Sequence, residues 1–206
     1  IALSLVGETI GVDSENYLFG KIKSDHIHDF PNLIHRSRFN RRRKRLGALI
    51  ARLNDRISSL LNEGENIFLV DSIPVPICKN ARINRSKICK DDYETAPDRG
   101  YSAVAKSYFY GYKLHLAISL RGVYSSMELT KASIHDIHFL DEVKHSSISD
   151  CDLLGDKGYV SEPIQQDLFT TKQIRLLTPV KSGQHDKEPI PFIYMKSRKR
   201  IETLFS

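Results

Sequence analysis

The hydrophobic rhythm of this chain changes at Gly64. Before it, Leu46, Leu49, Ile50, Leu53, Ile57, Leu60 and Leu61 recur at three- and four-residue steps, the period of a helix that buries one stripe. After it, Asn66 to Val70 (NIFLV) is an unbroken apolar run closed by Asp71, the pattern of a strand covered on both faces. One sequence carrying both periods predicts a helical region, residues 1–64, followed by a mixed α/β domain, residues 65–206.

The helical region is also where the charge sits. The chain has 206 residues, with 31 Lys plus Arg against 25 Asp plus Glu, a net charge of +6. Residues 1–63 hold 11 basic and 7 acidic side chains, so most of the excess is N-terminal. Arg36 to Arg45 (RSRFNRRRKR) carries seven cations and no anion, a density that repels itself as a helix start and suits counterion release from a phosphate backbone. Arg38, Arg41, Arg42, Arg43 and Arg45 are the DNA-binding candidates there, and a DNA partner is expected. Ser37 is predicted to cap one long helix running to about Asn62, Asp13 to Lys23 to form a shorter helix, and Phe30 to Leu33 a turn.

Beyond Asp71, Pro74 and Pro76 are expected to stop the first strand. The polar stretch from Pro76 to Lys106 reads as a long irregular insertion, spanning 72–107 at its widest, in which Arg82, Arg85 and Lys87 could guide a DNA strand or could be ordinary loop residues. Tyr108 to Leu120 and Val123 to Leu129, joined through Arg121 and Gly122, predict a hairpin. The alternating Tyr108, Tyr110 and Tyr112 are expected to pack rather than stack on bases. A helix over Asp136 to His145, a strand over Cys151 to Leu154, a helix over Glu162 to Phe169, a strand over Ile174 to Pro179 and a last helix from Phe192 complete the order. That order predicts a ribonuclease-H-like, five-stranded mixed sheet flanked by helices.

Asp71 would close the first strand and Asp156 the fourth, and adjacent central strands would bring both to one sheet edge. Glu202 would come from the last helix. Phosphodiester transfer needs such hard oxygen ligands, because two Mg²⁺ ions about 3.5 to 4 Å apart stabilise the attacking and leaving oxygens. Taken singly, the two aspartates read as turn residues and Glu202 as a solvated helix residue. The expectation rests on the three together. Gly155 and Gly158 would allow close approach at Asp156, and Lys157 could meet a phosphate. His135 and Asp136 open the helix after the hairpin, where a supporting role behind the metal ligands competes with simple capping.

Four motifs, DSIPVP at Asp71, YFYGYKLH at Tyr108, GDKGY at Gly155 and RKRIET at Arg198, resemble the insertion-sequence 982 family of bacterial DDE transposases, and the SRFNRR segment at Ser37 resembles that family's N-terminal region. The resemblance implies a transposase that cleaves and joins DNA at element ends and target. It implies Asp71, Asp156 and Glu202 as catalytic acids holding two Mg²⁺ ions, with Mn²⁺ as a substitute, Arg198 on the acid-bearing helix, and a homo-oligomer when two ends are paired. Tyr194 stands one position earlier than the related Tyr, Arg, Glu and Lys signature places its tyrosine, and the signature's distal Lys would fall past Ser206. The chain is therefore expected to be incomplete at both ends. A nuclease on the same fold and a truncated remnant that only binds DNA are the competing readings. No apolar run approaches the ~18 residues of a membrane span, and three scattered cysteines fit a reducing compartment. A soluble, cytoplasmic, nucleoid-associated protein is the expectation.

Overall fold

In the computed structural model the described residues are 2–12, 14–179, 192–197 and 199–204. They form two compact units, residues 1–56 and 57–206.

The first unit is helical: α1 (Ala2–Thr9), α2 (Glu15–Asp25), α3 (Arg36–Arg45) and most of α4 (Gly47–Leu61). Ser14 caps α2, which buries Leu18, Phe19 and Ile22. Phe39 of α3 meets Phe19 with ring centroids 5.3 Å apart. The single long helix expected from Ser37 is in fact two. His35, not Ser37, is the cap of α3, its Nδ1 accepting the Ser37 N–H at 3.3 Å. The chain breaks at Leu46, between a run of seven cations and Gly47, the poorest helix former after proline. The stripe on α4 also differs from expectation: Leu49, Leu53, Ile57 and Leu60 remain exposed. The buried residue of α4 is Ser58, whose hydroxyl donates to the Tyr124 carbonyl at 2.6 Å within the second unit. The first helix, α1, was not foreseen from sequence; its small Gly7 lets it lie against Leu18, where a Cβ would be 3.2 Å from that side chain.

The second unit is a mixed six-stranded sheet: β1 (Ile67–Cys78), β2 (Asp98–Ser102), β3 (Ser107–Ser119), β4 (Tyr124–Lys131), β5 (Cys151–Leu154) and β6 (Ile174–Leu177). β3 pairs antiparallel to β1, while β5 and β6 continue parallel on β1's other side. The order β4-β3-β1-β5-β6 is the ribonuclease-H-like arrangement. α5 (Phe139–His145) and α6 (Glu162–Lys172) cover one face, where Phe139, Leu140, Val143 and Leu168 pack on Phe68, Val70 and Leu153. α7 (Phe192–Ser197) and α8 (Lys199–Leu204) belong to the other, where Ile201 and Tyr194 meet Leu69, Ile118 and Leu154.

Two expectations are corrected here. Pro74 and Pro76 do not end β1; they sit inside it, opposite Lys113 and Gly111 of β3. β5 accompanies β1 only as far as Leu69, so beyond that point a residue whose nitrogen faces the outer edge loses no ladder hydrogen bond by being proline. The Ser72 N–H, of the same parity, is taken by the Asp71 carboxylate at 2.8 Å. The insertion, in turn, is not irregular throughout. It holds a 3-10 turn, Asn80–Arg85, and the sixth strand, β2, which occupies the same edge of β3 as β4. Gly100 and Gly111 permit this crowding: a Cβ on Gly100 would lie 2.5 Å from the Ala132 carbonyl oxygen, and one on Gly111 would lie 2.1 Å from that of Val75. No helix among the described residues is long and apolar enough to cross a membrane.

His115 of β3 is fully buried, stacked on Phe139 at 5.3 Å, with Nε2 2.8 Å from the Thr130 hydroxyl. Burial lowers its pKa to about 4. The unfolded chain binds a proton there below about 6.5 that the folded chain refuses until about 4. Stability from this group is therefore complete above about pH 6.5, declines by up to about 3 kcal/mol as pH falls to about 4, and is level below that. Urea midpoints measured between pH 7 and pH 4 should show this slope in the parent and a shallower one in His115→Leu; an equally steep variant would assign the acid sensitivity elsewhere.

Candidate active site

The parallel pairing of β1 and β5 sets the site. Ile67, Phe68 and Leu69 stand opposite Asp152, Leu153 and Leu154. Asp71 lies two residues beyond Leu69 and Asp156 two beyond Leu154, so each acid follows the last paired residue of its strand by the same step. Strand alternation gives Asp71 the face of Leu69, the face on which Ile201 of α8 is buried. Glu202 follows Ile201 on that helix. Its side chain, like the whole of Arg198, lies outside the described residues.

Local hydrogen bonds fix both aspartates. Oδ1 of Asp71 accepts the Ser72 N–H, and Oδ1 of Asp156 accepts the Gly158 N–H at 2.7 Å, capping the 3-10 turn Lys157–Tyr159. Gly155 keeps the strand end tight: a Cβ there would stand 3.2 Å from both Val70 and Tyr159. A Cβ on Gly158 would be 2.9 Å from Oδ1 of Asp156 and 3.6 Å from Oδ2 of Asp136, so these two carboxylates flank one small residue. Asp136 is the first residue of the 3-10 turn Asp136–His138, and its Oδ1 pairs with Lys113 Nζ at 2.7 Å. His135 is exposed and caps that turn through Nδ1.

Tyr159 gathers these groups. It is fully buried, and its hydroxyl has no partner at hydrogen-bond geometry among the described residues. Burial first, then the negative charges of Asp136, Asp71 and Asp156, push its pKa far above that of an ordinary phenol; the nearby Ser72 side chain offsets a little of this. The phenol therefore stays protonated, and all three carboxylates act on one hydroxyl. Neither Tyr159 nor Lys113 was singled out from sequence. The signal for Lys113 was a lone cation at the centre of an otherwise apolar and aromatic strand, YFYGYKLHL.

A polar latch holds the helix pair that carries Glu202. Asp152 of β5 accepts two hydrogen bonds from Arg175 of β6, at 2.7 and 2.8 Å, and one from the Tyr194 hydroxyl of α7 at 3.1 Å. The Arg175 bonds, with a further contribution from Tyr194, lower the Asp152 pKa.

Asp71, expected to close the first strand, instead lies within β1, while Asp156 follows the end of β5; the donor chemistry of these carboxylates fits a hard divalent cation, with the charge of Asp136 balanced by Lys113. No three His, Cys, Asp or Glu side chains among the described residues are grouped closely enough to hold an ion. Lys157 is exposed immediately after Asp156. Arg82, Arg85 and Lys87 are exposed on and just after the Asn80–Arg85 turn.

In the helical unit the Arg-rich run is not without an anion, as its own sequence suggested. Glu15 of α2 takes Arg43 at 3.4 Å and Arg36 at 3.8 Å, and accepts from Asn40 at 3.0 Å. Arg43 thus helps join α2 to α3. Arg38, Arg41, Arg42 and Arg45 are exposed, with no ion pair among the described residues.

The family model described as Transposase DDE domain matches residues 61–206. No curated protein sequence matches the chain. Among solved structures, one similar chain is the piggyBac transposase in a synaptic complex with hairpin DNA, seen by cryo-electron microscopy, at 12% identity and a TM-score of 0.38. That match covers 60% of this chain and spans 24% of the piggyBac chain, a likeness on which nothing is built. With a match over more than two thirds of its length, the chain belongs to the transposase DDE domain family.

Proposed function

We propose that this chain is a DNA transposase of the insertion-sequence 982 type, with Asp71, Asp156 and Glu202 as its catalytic acids. The observation that carries the reading is the matched position of Asp71 and Asp156 two residues past the last paired residues of β1 and β5. Tyr159, whose hydroxyl senses both charges, supports it. The helix bearing Glu202 packs on the same sheet face.

Asp71, Asp156 and Glu202 would hold two Mg²⁺ ions, with Mn²⁺ as a substitute. When bound, such ions offset charge on the phosphodiester oxygens and make water a better nucleophile. The chain's own groups do the rest. The Ser72 and Gly158 N–H groups orient the two carboxylates. Lys113 neutralises Asp136, which would otherwise add a fourth negative charge beside the phosphate. His135 shapes the turn that presents Asp136. Lys157, with Arg82, Arg85, Lys87 and Arg198, would meet the DNA backbone near the acids. In the first step water attacks phosphorus, forming a P–O bond as the bond to the 3′ oxygen breaks and a 3′-hydroxyl is freed. In the second, that hydroxyl attacks a target phosphodiester and releases a target 3′-hydroxyl. The helical region, residues 1–64, would bind element ends through Arg38, Arg41, Arg42, Arg43 and Arg45, and two copies would pair two ends. A cytoplasmic, nucleoid-associated protein would follow from such a partner.

Asp71→Asn should lower Mg²⁺-dependent strand cleavage by about a hundred-fold or more while changing duplex affinity by about two-fold or less. Gel assays on labelled element ends read both quantities, and cleavage surviving in the purified variant would remove Asp71 from the site. Joined donor and target DNA identifies a transposase, cleavage without joining a nuclease, and binding with neither a remnant.

Each of Arg38→Ala, Arg41→Ala, Arg42→Ala and Arg45→Ala should reduce the slope of log affinity against log salt by about 0.9 for each phosphate it leaves unneutralised. Arg43→Ala should in addition lower the thermal midpoint, because Glu15 loses a partner. Salt titrations with unchanged slopes would leave the run without a DNA role.

A further inference from the structure

The hairpin formed by β2 and β3 ends in a surface that the fold does not use. Tyr101 and Tyr108 are directly opposed across the two strands, with ring centroids 5.2 Å apart in an edge-on arrangement. Such a pair ordinarily strengthens a hairpin. Yet here the rings are 55% and 67% exposed, and Val104 at the tip between the strands is 98% exposed. The next tyrosines of β3 behave differently: Tyr110 is buried, and Tyr112 donates to the Thr95 carbonyl at 2.7 Å. Packing, expected for all three, accounts for those two and not for Tyr108.

From Arg99 to Tyr108 the charged side chains have one sign. Arg99 is exposed two residues before Tyr101 on the same strand face, and Lys106 is exposed at the tip. Asn80 donates to the Tyr108 carbonyl at 2.8 Å, which ties the turn bearing Arg82 and Arg85 to the backbone of that residue. From Arg99 to Tyr108 there is no acidic residue. Exposed aromatic faces flanked by cations match the two parts of an unpaired nucleic-acid strand, a base that offers a π-face and a phosphate that carries charge. In a regular duplex the base faces are stacked on one another and offer nothing to a ring.

We propose that the tip of the β2–β3 hairpin is a stacking platform for unpaired DNA bases, with Tyr101 and Tyr108 taking base faces and Arg99, Lys106 and the Arg82–Arg85 turn taking the adjoining phosphates. The choice of DNA rests on the transposase reading above. The platform would hold strand segments opened when an element end is cut or joined.

The test uses the full chain without divalent metal, a labelled 20-nucleotide single strand and the same sequence as a paired duplex, with affinity read by fluorescence anisotropy. The double variant Tyr101→Ala, Tyr108→Ala should bind the single strand about ten-fold more weakly and the duplex about as well as the parent. Tyr101→Phe with Tyr108→Phe should retain single-strand affinity. Tyr108→Leu, which keeps an apolar side chain opposite Tyr101, should lose single-strand affinity at an unchanged thermal midpoint, separating stacking from hairpin stability. The proposal is overturned by a parent that does not bind the single strand, by equal losses on strand and duplex, or by a leucine variant that binds like the parent. Cleavage of element ends with Mg²⁺ is measured alongside: cleavage with tyrosine-independent strand binding sinks the platform alone, and tyrosine-dependent strand binding without cleavage sinks the transposase reading alone.

Discussion

The structure depends on β1 having two unlike neighbours. On one side β3 runs antiparallel over most of its length; on the other β5 runs parallel for three residue pairs and then leaves. The first pairing holds the strand straight through Asp71. The second ends at Leu154, after which the chain turns away through Gly155 into the tight turn that Asp156 caps.

Charge around the acids is managed by burial and pairing rather than by solvent. Lys113 reaches Asp136 from the strand behind, and the Tyr159 phenol keeps its proton against three carboxylates. Farther along β5, Asp152 is balanced by a forked arginine and a tyrosine. A half-buried carboxylate is costly without a partner, and each of these half-buried acids has one: a lysine for Asp136, a backbone amide for Asp71 and Asp156, a guanidinium for Asp152. The helical unit repeats the logic with one acid, Glu15, serving two arginines and an asparagine.

Much of the sheet was legible because β1, β5 and β6 are short apolar runs and the β3–β4 hairpin alternates. What was not legible depended on partners distant in sequence. Proline reads as a strand stop when both edges of a strand are assumed to be paired, and among the described residues β1 is paired on only one edge where Pro74 and Pro76 occur. β2 was hidden in a polar segment because its outward positions face solvent and its one buried residue is Gly100. The α3–α4 break came from charge density and Gly47 acting together, although the apolar spacing ran on without interruption. Glu15 lies 21 residues before Arg36, beyond any local window. Of the acids, Asp156 follows its strand as expected while Asp71 lies inside β1 rather than at its end, and the lysine and tyrosine near them emerged only from the folded contacts.

The outer rim of β1 has one more property. Past Val70 its outward-facing nitrogens belong to Ser72, Pro74 and Pro76: the first is already spent on a neighbouring carboxylate, and the other two bear no hydrogen. An unpaired rim normally invites a foreign strand to zip on, which is how sheets aggregate. Here an intruder would find carbonyls but no donors. The rim beside Asp71 thus offers a polypeptide ribbon no backbone donor with which to pair.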